Sequence, residues 1–232
     1  AVNLPMEFGP GKNLKWKVAV PGAGWSSPVI ADRRIYLTTA IPKGAGLSLV
    51  ALCLDTGTGR MVWNRSLFSM IKAPRMHRKN SQASPTPIVN GHRLYVHFGH
   101  MGTACLDLNG KVIWKNDTIK YSPVHGNGGT PVLVNGKLIF SCDGAKDPFV
   151  IALNAQTGKP EWRTLRSANA KKKFSFSTPL VVKFGDQAQV LLPGSNMIGA
   201  YDHDNGKEIW RTAYNGYSVI PRPVTGHGMV FF

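Results

Sequence analysis

Seven histidines, three cysteines and twelve carboxylates are the groups with which this 232-residue chain could do metal, nucleophilic or acid–base chemistry. Their spacing argues against each in turn. His97, His100, His125, His203 and His227 show no metal-ligand spacing and read as ordinary strand or loop histidines. Cys53, Cys105 and Cys142 form no zinc-like pattern, and an odd count cannot be fully paired within one chain. Cys53 and Cys105 occupy equivalent places in two "CLD" stretches, where other copies carry Ala152 and Gly199-Ala200. That position asks for a small side chain, and Cys serves there as a small buried hydrophobe. The stretch "VHGNGG" (Val124 to Gly129) is not a phosphate loop, because no Gly-Lys-Ser/Thr opens a helix after it. No catalytic residue declares itself, and no metal is expected.

What remains is binding chemistry. His77, Asn80, Ser84, His125, Asn127, Ser175, Ser177, Tyr217 and Arg222 fall in the segments that lead into Pro-marked apolar runs, as do Trp25 and Ser26. His100, Lys146 and Asn196 lie in neighbouring loops. The ligand-binding set expected from these is His77, Asn80, Ser84, His100, His125, Asn127, Ser177, Tyr217 and Arg222.

The elements that position them come from a repeat. Trp16, Trp63, Trp114, Trp162 and Trp210 are spaced 47, 51, 48 and 48 residues apart, a period that signals a propeller or solenoid. Each unit carries a Pro-marked strand ("SSPVIA", "PTPIVN", "GTPVLVN", "STPLVV", "PRPVTG"), then a second strand, then a third such as "FVIALN". A turn with Gly59, Gly110, Gly158 or Gly206 then enters the Trp strand. Four short strands make one antiparallel sheet, too small to be stable alone; stacking on copies of itself buries both faces. The Trp and Gly residues are expected to be structural. Little helix is expected, one turn within Ser66 to Ile71 at most. No apolar run is long enough to cross a membrane as a helix.

The layout Ala-x-Asp/Asn-x-x-x-Gly-Lys-x-x-Trp resembles the repeat of PQQ-like (quinoprotein alcohol dehydrogenase-like) β-propellers. "VHFGHMGTACLD", "VHGNGGTPVL" and "YSVIPRPVTGHGMVFF" resemble secreted planctomycete-type members in particular. The resemblance runs from about Leu14 onward. It implies an all-β propeller of four-stranded antiparallel blades, with seven or eight blades in an intact ring. One domain, 1–232, is expected, with blades at 21–66, 81–117, 126–165 and 174–213, a partial blade at 218–232, and 13–20 as an outer strand of the closing blade. That makes four complete blades and part of a fifth, a piece of the ring whose open edge at 218–232 could self-associate. The resemblance also implies a periplasmic or extracellular location, and PQQ and calcium as possible cofactors. Yet the family's adjacent Cys-Cys pair is missing, and the expected axial mouth holds few acids: Asp117, Asp143 and Asp147.

Charge supplies the other functional signal. The net charge is +16, from 28 basic and 12 acidic residues. The connectors between one Trp strand and the next Pro-marked strand hold 15 basic residues, Arg65, Arg166 and Arg211 among them, against a single acid, Asp117. The two turn types at the opposite end of each blade carry Asp32, Asp55, Asp107, Asp186, Asp202 and Asp204. A positive connector face would focus anions. The sequence therefore reads as a non-catalytic scaffold that binds a protein partner or anionic ligand through this face. A PQQ-dependent dehydrogenase and a binder of acidic polysaccharide or nucleic acid are the alternatives. Nucleic acid fits poorly, since no alternation of exposed aromatic and basic residues is evident.

Overall fold

The computed structural model describes residues 5–166, 170–185 and 187–232. It contains four sheets of four antiparallel strands and one of two. The first comprises β1 (Val29–Ala31), β2 (Arg34–Lys43), β3 (Gly46–Asp55) and β4 (Met61–Met70). The second comprises β5 (Ile88–Asn90), β6 (Arg93–His97), β7 (Thr103–Asp107) and β8 (Val112–Asn116), with a 3-10 turn at Gly99–Met101. The third comprises β9 (Val132–Val134), β10 (Lys137–Cys142), β11 (Phe149–Asn154) and β12 (Pro160–Leu165). The fourth comprises β13 (Leu180–Phe184), β14 (Gln187–Gly194), β15 (Met197–Asp202) and β16 (Glu208–Ala213). The last pair is β17 (Val224–Gly226) and β18 (Met229–Phe231). Every sheet is a meander in chain order, so the connectors and the second-to-third strand loops share one face.

The core lies between sheets, not within one. Along β10 and β11, alternate residues serve opposite neighbours. Leu138, Phe140, Ile151 and Leu153 pack with Tyr95 and Trp114 of the second blade. Ile139, Val150 and Ala152 pack with Val190, Leu192 and Tyr201 of the fourth. This is why the middle strands read as almost continuous apolar runs.

The repeated Trp phrase now has a physical account. Asp55, Asp107, Asn154 and Asp202 each accept two backbone N–H bonds through Oδ1 from their own turn. The glycine that ends the turn has positive φ, +71° at Gly158 for example. Onto it docks the indole of the preceding blade: Trp63 Nε1 donates to Leu108 O at 3.1 Å, Trp114 to Ala155 O at 3.0 Å and Trp162 to His203 O at 3.1 Å. The small residue is the cross-strand partner of that Trp, in the pairs Cys53–Trp63, Cys105–Trp114, Ala152–Trp162 and Ala200–Trp210. All three cysteines are free and buried.

One expectation needs correction. The stretch 66–71 is not a helical turn: β4 runs through Met70, which pairs with Leu47, because the β2–β3 hairpin is long enough to offer it an edge. Residues 13–20 are irregular here, and the closing blade to which they would add an outer strand is not among the described residues. Trp16 nonetheless takes the docking place on blade one, with Nε1 donating to Thr56 O at 2.9 Å and its ring over Gly59. Asp186 lies outside the described residues.

Candidate functional site

The first strands of neighbouring blades lie beside each other, β1 near β5 and β9 near β13. Their entries are tied by one repeated bond. Ser27 N–H donates to Thr86 Oγ1 at 3.1 Å, Thr86 N–H to Thr130 Oγ1 at 2.9 Å, and Thr130 N–H to Thr178 Oγ1 at 3.0 Å. Each of these residues precedes a proline, which holds it extended. Sequence reasoning missed this ladder, although "PTP", "GTP" and "STP" displayed it. Thr130→Val is expected to cost about 1–2 kcal/mol, because the Thr86 amide loses its acceptor in a half-buried place. Urea denaturation would measure it; an unchanged midpoint would mean that water replaces the hydroxyl.

Above this ladder the connectors enclose a cavity of about 370 Å³ lined by His77, Lys79, Asn80, His125, Gly128, Phe176, Ser218 and Ile220. Asn80 is its pivot. Its Nδ2 donates to His125 O at 3.0 Å and Asn127 O at 3.2 Å, and its Oδ1 accepts from Ser84 Oγ at 2.6 Å and Ser81 N–H at 2.8 Å. Two successive connectors, 64–84 and 115–129, are thereby held in register. The Lys79 amide donates to His77 Nδ1 at 3.2 Å, which leaves Nε2 as the ring nitrogen of His77 available to a ligand. His77 meets His125 edge-on at 5.5 Å, and His125 meets Phe174 edge-on at 5.0 Å. Gly126 and Gly128 are required here, since a Cβ would press on Asn80 and Phe176.

The structure thus brings together His77, Asn80 and His125 from the expected set. Ser84 supports Asn80 from behind. Tyr217 sits outside the cavity, edge-on to Phe174 at 6.0 Å, with Lys172 Nζ 4.0 Å over its ring and holding its hydroxyl pKa below the usual value. Arg222 is exposed and does not line the cavity. Asn127 is buried one layer below, where Oδ1 accepts from Tyr121 OH at 2.5 Å and Nδ2 faces Phe98 O and His100 Nδ1. Asn127 and Ser177 line a cleft of about 20 Å³ with His97, Tyr121, Asp143 and Ser175, room for about one water. Burial lowers the His100 pKa and pushes that of His97 down to about 3, which keeps His97 neutral. Lys146 is exposed and Asn196 caps the 214–216 turn.

Beside the cleft lies an ion pair that sequence reasoning did not foresee. Arg166 Nη1 donates to Asp143 Oδ2 at 2.6 Å, with the two side chains only 2% and 3% exposed. Ser175 Oγ donates to the same oxygen, and Arg166 Nη2 donates to Leu192 O at 2.9 Å. Arg166 therefore leaves the set of surface charges expected on the connectors. Arg211 leaves it too, paired with Glu208, while Arg65 Nε is spent on Gly110 O. Of the other twelve basic connector residues, Lys17, Lys72, Arg75, Arg78, Lys79, Lys115, Lys120, Arg163, Lys171, Lys172 and Arg222 are exposed and Lys173 is half-buried.

A firmly held calcium or similar ion needs several oxygen donors with negative charge. Among the described residues, the grouping of ligand-type side chains within reach of one ion is Asp202, His203 and Asp204, on the opposite face. There Asp202 caps its turn and Lys137 already pairs with Asp204 at 3.0 Å. At the axial end Asp143 is consumed by Arg166 and Ser175. The residues here do not fit a quinone-associated cation.

A family model described as outer membrane protein assembly factor BamB matches residues 10–141 and, in an overlapping alignment, 48–218. Two curated relatives are lanthanide-dependent methanol dehydrogenases. The one from Methylorubrum extorquens is 31% identical over 153 residues, 59% of this chain and 24% of that protein. The one from Methylacidiphilum fumariolicum is 29% identical over 144 residues, 53% and 22%. The chain thus spans about a quarter of these relatives' length. Among solved structures, BamB from Moraxella catarrhalis aligns with TM-score 0.56 at 20% identity, covering 90% of this chain and 56% of that one. A europium-containing methanol dehydrogenase aligns with TM-score 0.60 at 12% identity, covering 87% and 43%. At such identities the structural likeness speaks to fold alone.

Proposed function

We propose, from the premise that this chain belongs to the PQQ-type repeat propeller family whose model is described as outer membrane protein assembly factor BamB, that it is a binding scaffold. Its connector face takes an anionic group, on a protein partner or a free ligand, at the axial cavity. The observation that carries this reading is the cavity itself: His77, Lys79 and Asn80 converge there with the apolar walls Phe176 and Ile220. Concave sites of this size with a few convergent polar groups are the usual form of binding sites. The basic connectors around them raise the local concentration of anions.

Fluorescence anisotropy with labelled poly-glutamate at low and moderate salt tests it. Lys79→Ala is expected to weaken binding about 5–10-fold, the scale of one close charge contact. A wild-type chain that ignores the polymer at low salt would sink the reading. A salt slope so steep that binding vanishes at moderate salt would instead favour the non-specific binder of acidic polymers.

One observation favours a second reading, the 31% identity to a methanol dehydrogenase. PQQ with calcium or a lanthanide would then raise the thermal midpoint in a saturable way that survives salt. The matched family's description as an outer membrane protein assembly factor supports a location at the cell envelope, periplasmic or extracellular, which fractionation of the source cell would check. No helix among the described residues is long and apolar enough to cross a membrane.

A further inference from the structure

Blade one is longer than the others on one side only. β2, β3 and β4 have ten residues each, against five in β6, β7 and β8 and six in β10, β11 and β12. Asp55, Asp107 and Asn154 hold equivalent places in the turn at the opposite face. The hairpin over 34–55 exceeds those over 93–107 and 137–154 by seven and four residues, half in each arm, so its tip projects from the connector face by about 7–12 Å. It is a rigid projection, for its ladder is paired out to Lys43–Gly46 and Leu47–Met70. Phe68 at its base packs edge-on against Phe98 at 6.1 Å and fills the space over Gly102.

The end of this tab has a distinctive surface. Pro42, Lys43, Gly44 and Ala45 are all exposed, and Ile71 beside them is 97% exposed, with Lys72 next in chain. Ala73 N–H donates to Ala45 O at 3.0 Å, which keeps the two segments together. The following loop adds Arg75, Arg78 and Lys79, all exposed, and neither the tip nor this loop contains an acid. An aliphatic side chain stands at the summit of a convex projection, inside a collar of cations.

We infer that this tab seats the connector face on an anionic lipid bilayer, with Ile71 entering the headgroup layer and Lys43, Lys72, Arg75 and Arg78 against lipid phosphates. The inference rests on the reading of that face as anion-seeking and names its partner. Shape decides between a bilayer and an acidic protein. A peptide needs a groove or an open strand edge for its backbone, whereas a single apolar point on a convex tip gains only from a surface that yields around it. The cations then add attraction to anionic lipid within a Debye length.

Co-sedimentation of the 232-residue chain with vesicles is the test. Binding is expected to phosphatidylcholine vesicles carrying about one-third phosphatidylglycerol, and not to pure phosphatidylcholine. Ile71→Ser is expected to weaken binding about fivefold with the salt slope unchanged, since it removes apolar insertion alone. Lys43→Ser with Lys72→Ser should weaken it and flatten the slope. Ile113→Ser, on the outer strand of blade two, should do neither. All these side chains are exposed, so unchanged melting is expected for each variant. Equal binding to both vesicle types, or Ile71→Ser binding like wild type, would overturn the inference. If vesicles are ignored while poly-glutamate is bound, the tab proposal falls and the axial anion site stands; if both are ignored, both fall.

Discussion

Arg166→Met is expected to cost about 3–5 kcal/mol of folding stability at neutral pH, because it strands the Asp143 carboxylate in the interior. Burial pushes the Asp143 carboxyl up, and only Arg166 and Ser175 pull it back. Without the guanidinium, burial wins outright and the folded-state pKa rises further above the unfolded value of about 3.9. A carboxyl with a raised folded pKa binds its proton more tightly when folded. Its contribution is therefore favourable below the unfolded pKa and is lost as pH rises through the folded one. The deficit of Arg166→Met should shrink as pH falls from neutral toward the acid range. Asp143→Asn makes the opposite test. It strands a guanidinium that stays charged throughout and removes the carboxyl that the folded protein protonates more readily, so its deficit should not shrink as pH falls over the same range. The double variant, with no charge left inside, should recover most of the loss. Urea denaturation at several pH values reads all three. Two cheap single variants would mean that water reaches the pair. The consequence for function is direct, since Ser175 on Asp143 fixes the connector that carries Phe176 into the cavity wall.

Local chemistry was legible in the sequence and distant chemistry was not. The Trp phrase could be read because everything it needs is close by: an Asp or Asn that caps its own turn, a glycine for positive φ, a strand with period two. Its counterpart was hidden. Nothing in "NAQTGKPEW" says that the glycine serves the Trp of the previous blade, 44 residues upstream in the case of Gly158 and Trp114. His77 and His125 could be placed near the axis because they stand one repeat apart, whereas Phe176, Ser218 and Ile220 complete the cavity through loop geometry that no local pattern encodes. Arg166 was read as a surface charge because connector arginines usually are; its partner Asp143 lies 23 residues away across a blade. "SLFSMI" was misjudged for a related reason. Strand or helix there depends on whether β3 is long enough to offer an edge, and only the hairpin as a whole decides that.

The interlocking of blades through that glycine yields the second large effect. Gly158→Ala is expected to destabilise by about 3–5 kcal/mol, of which the backbone accounts for only about 1–2. Both glycines compared here have positive φ, +71° at Gly158 and +72° at Gly136. A Cβ on Gly136 would meet nothing within 4 Å, whereas one on Gly158 would fall inside the Trp114 ring. Gly136→Ala should therefore show the conformational cost alone, and the excess at Gly158 measures the docked indole. Trp114→Ala removes the same contact from the other side, together with its bond to Ala155 O, and should cost about 3–5 kcal/mol by itself. The two changes cannot add. Once the indole is gone, Gly158→Ala should fall to the cost of Gly136→Ala, giving a coupling of about 2 kcal/mol in a double-mutant cycle. Additive losses would show that the ring and the turn stabilise their blades independently. A coupling of the expected size would mean that each blade holds its neighbour at the outer rim. The connectors at the axis, braced by Asn80 and by the Arg166–Asp143 pair, could then be long and polar.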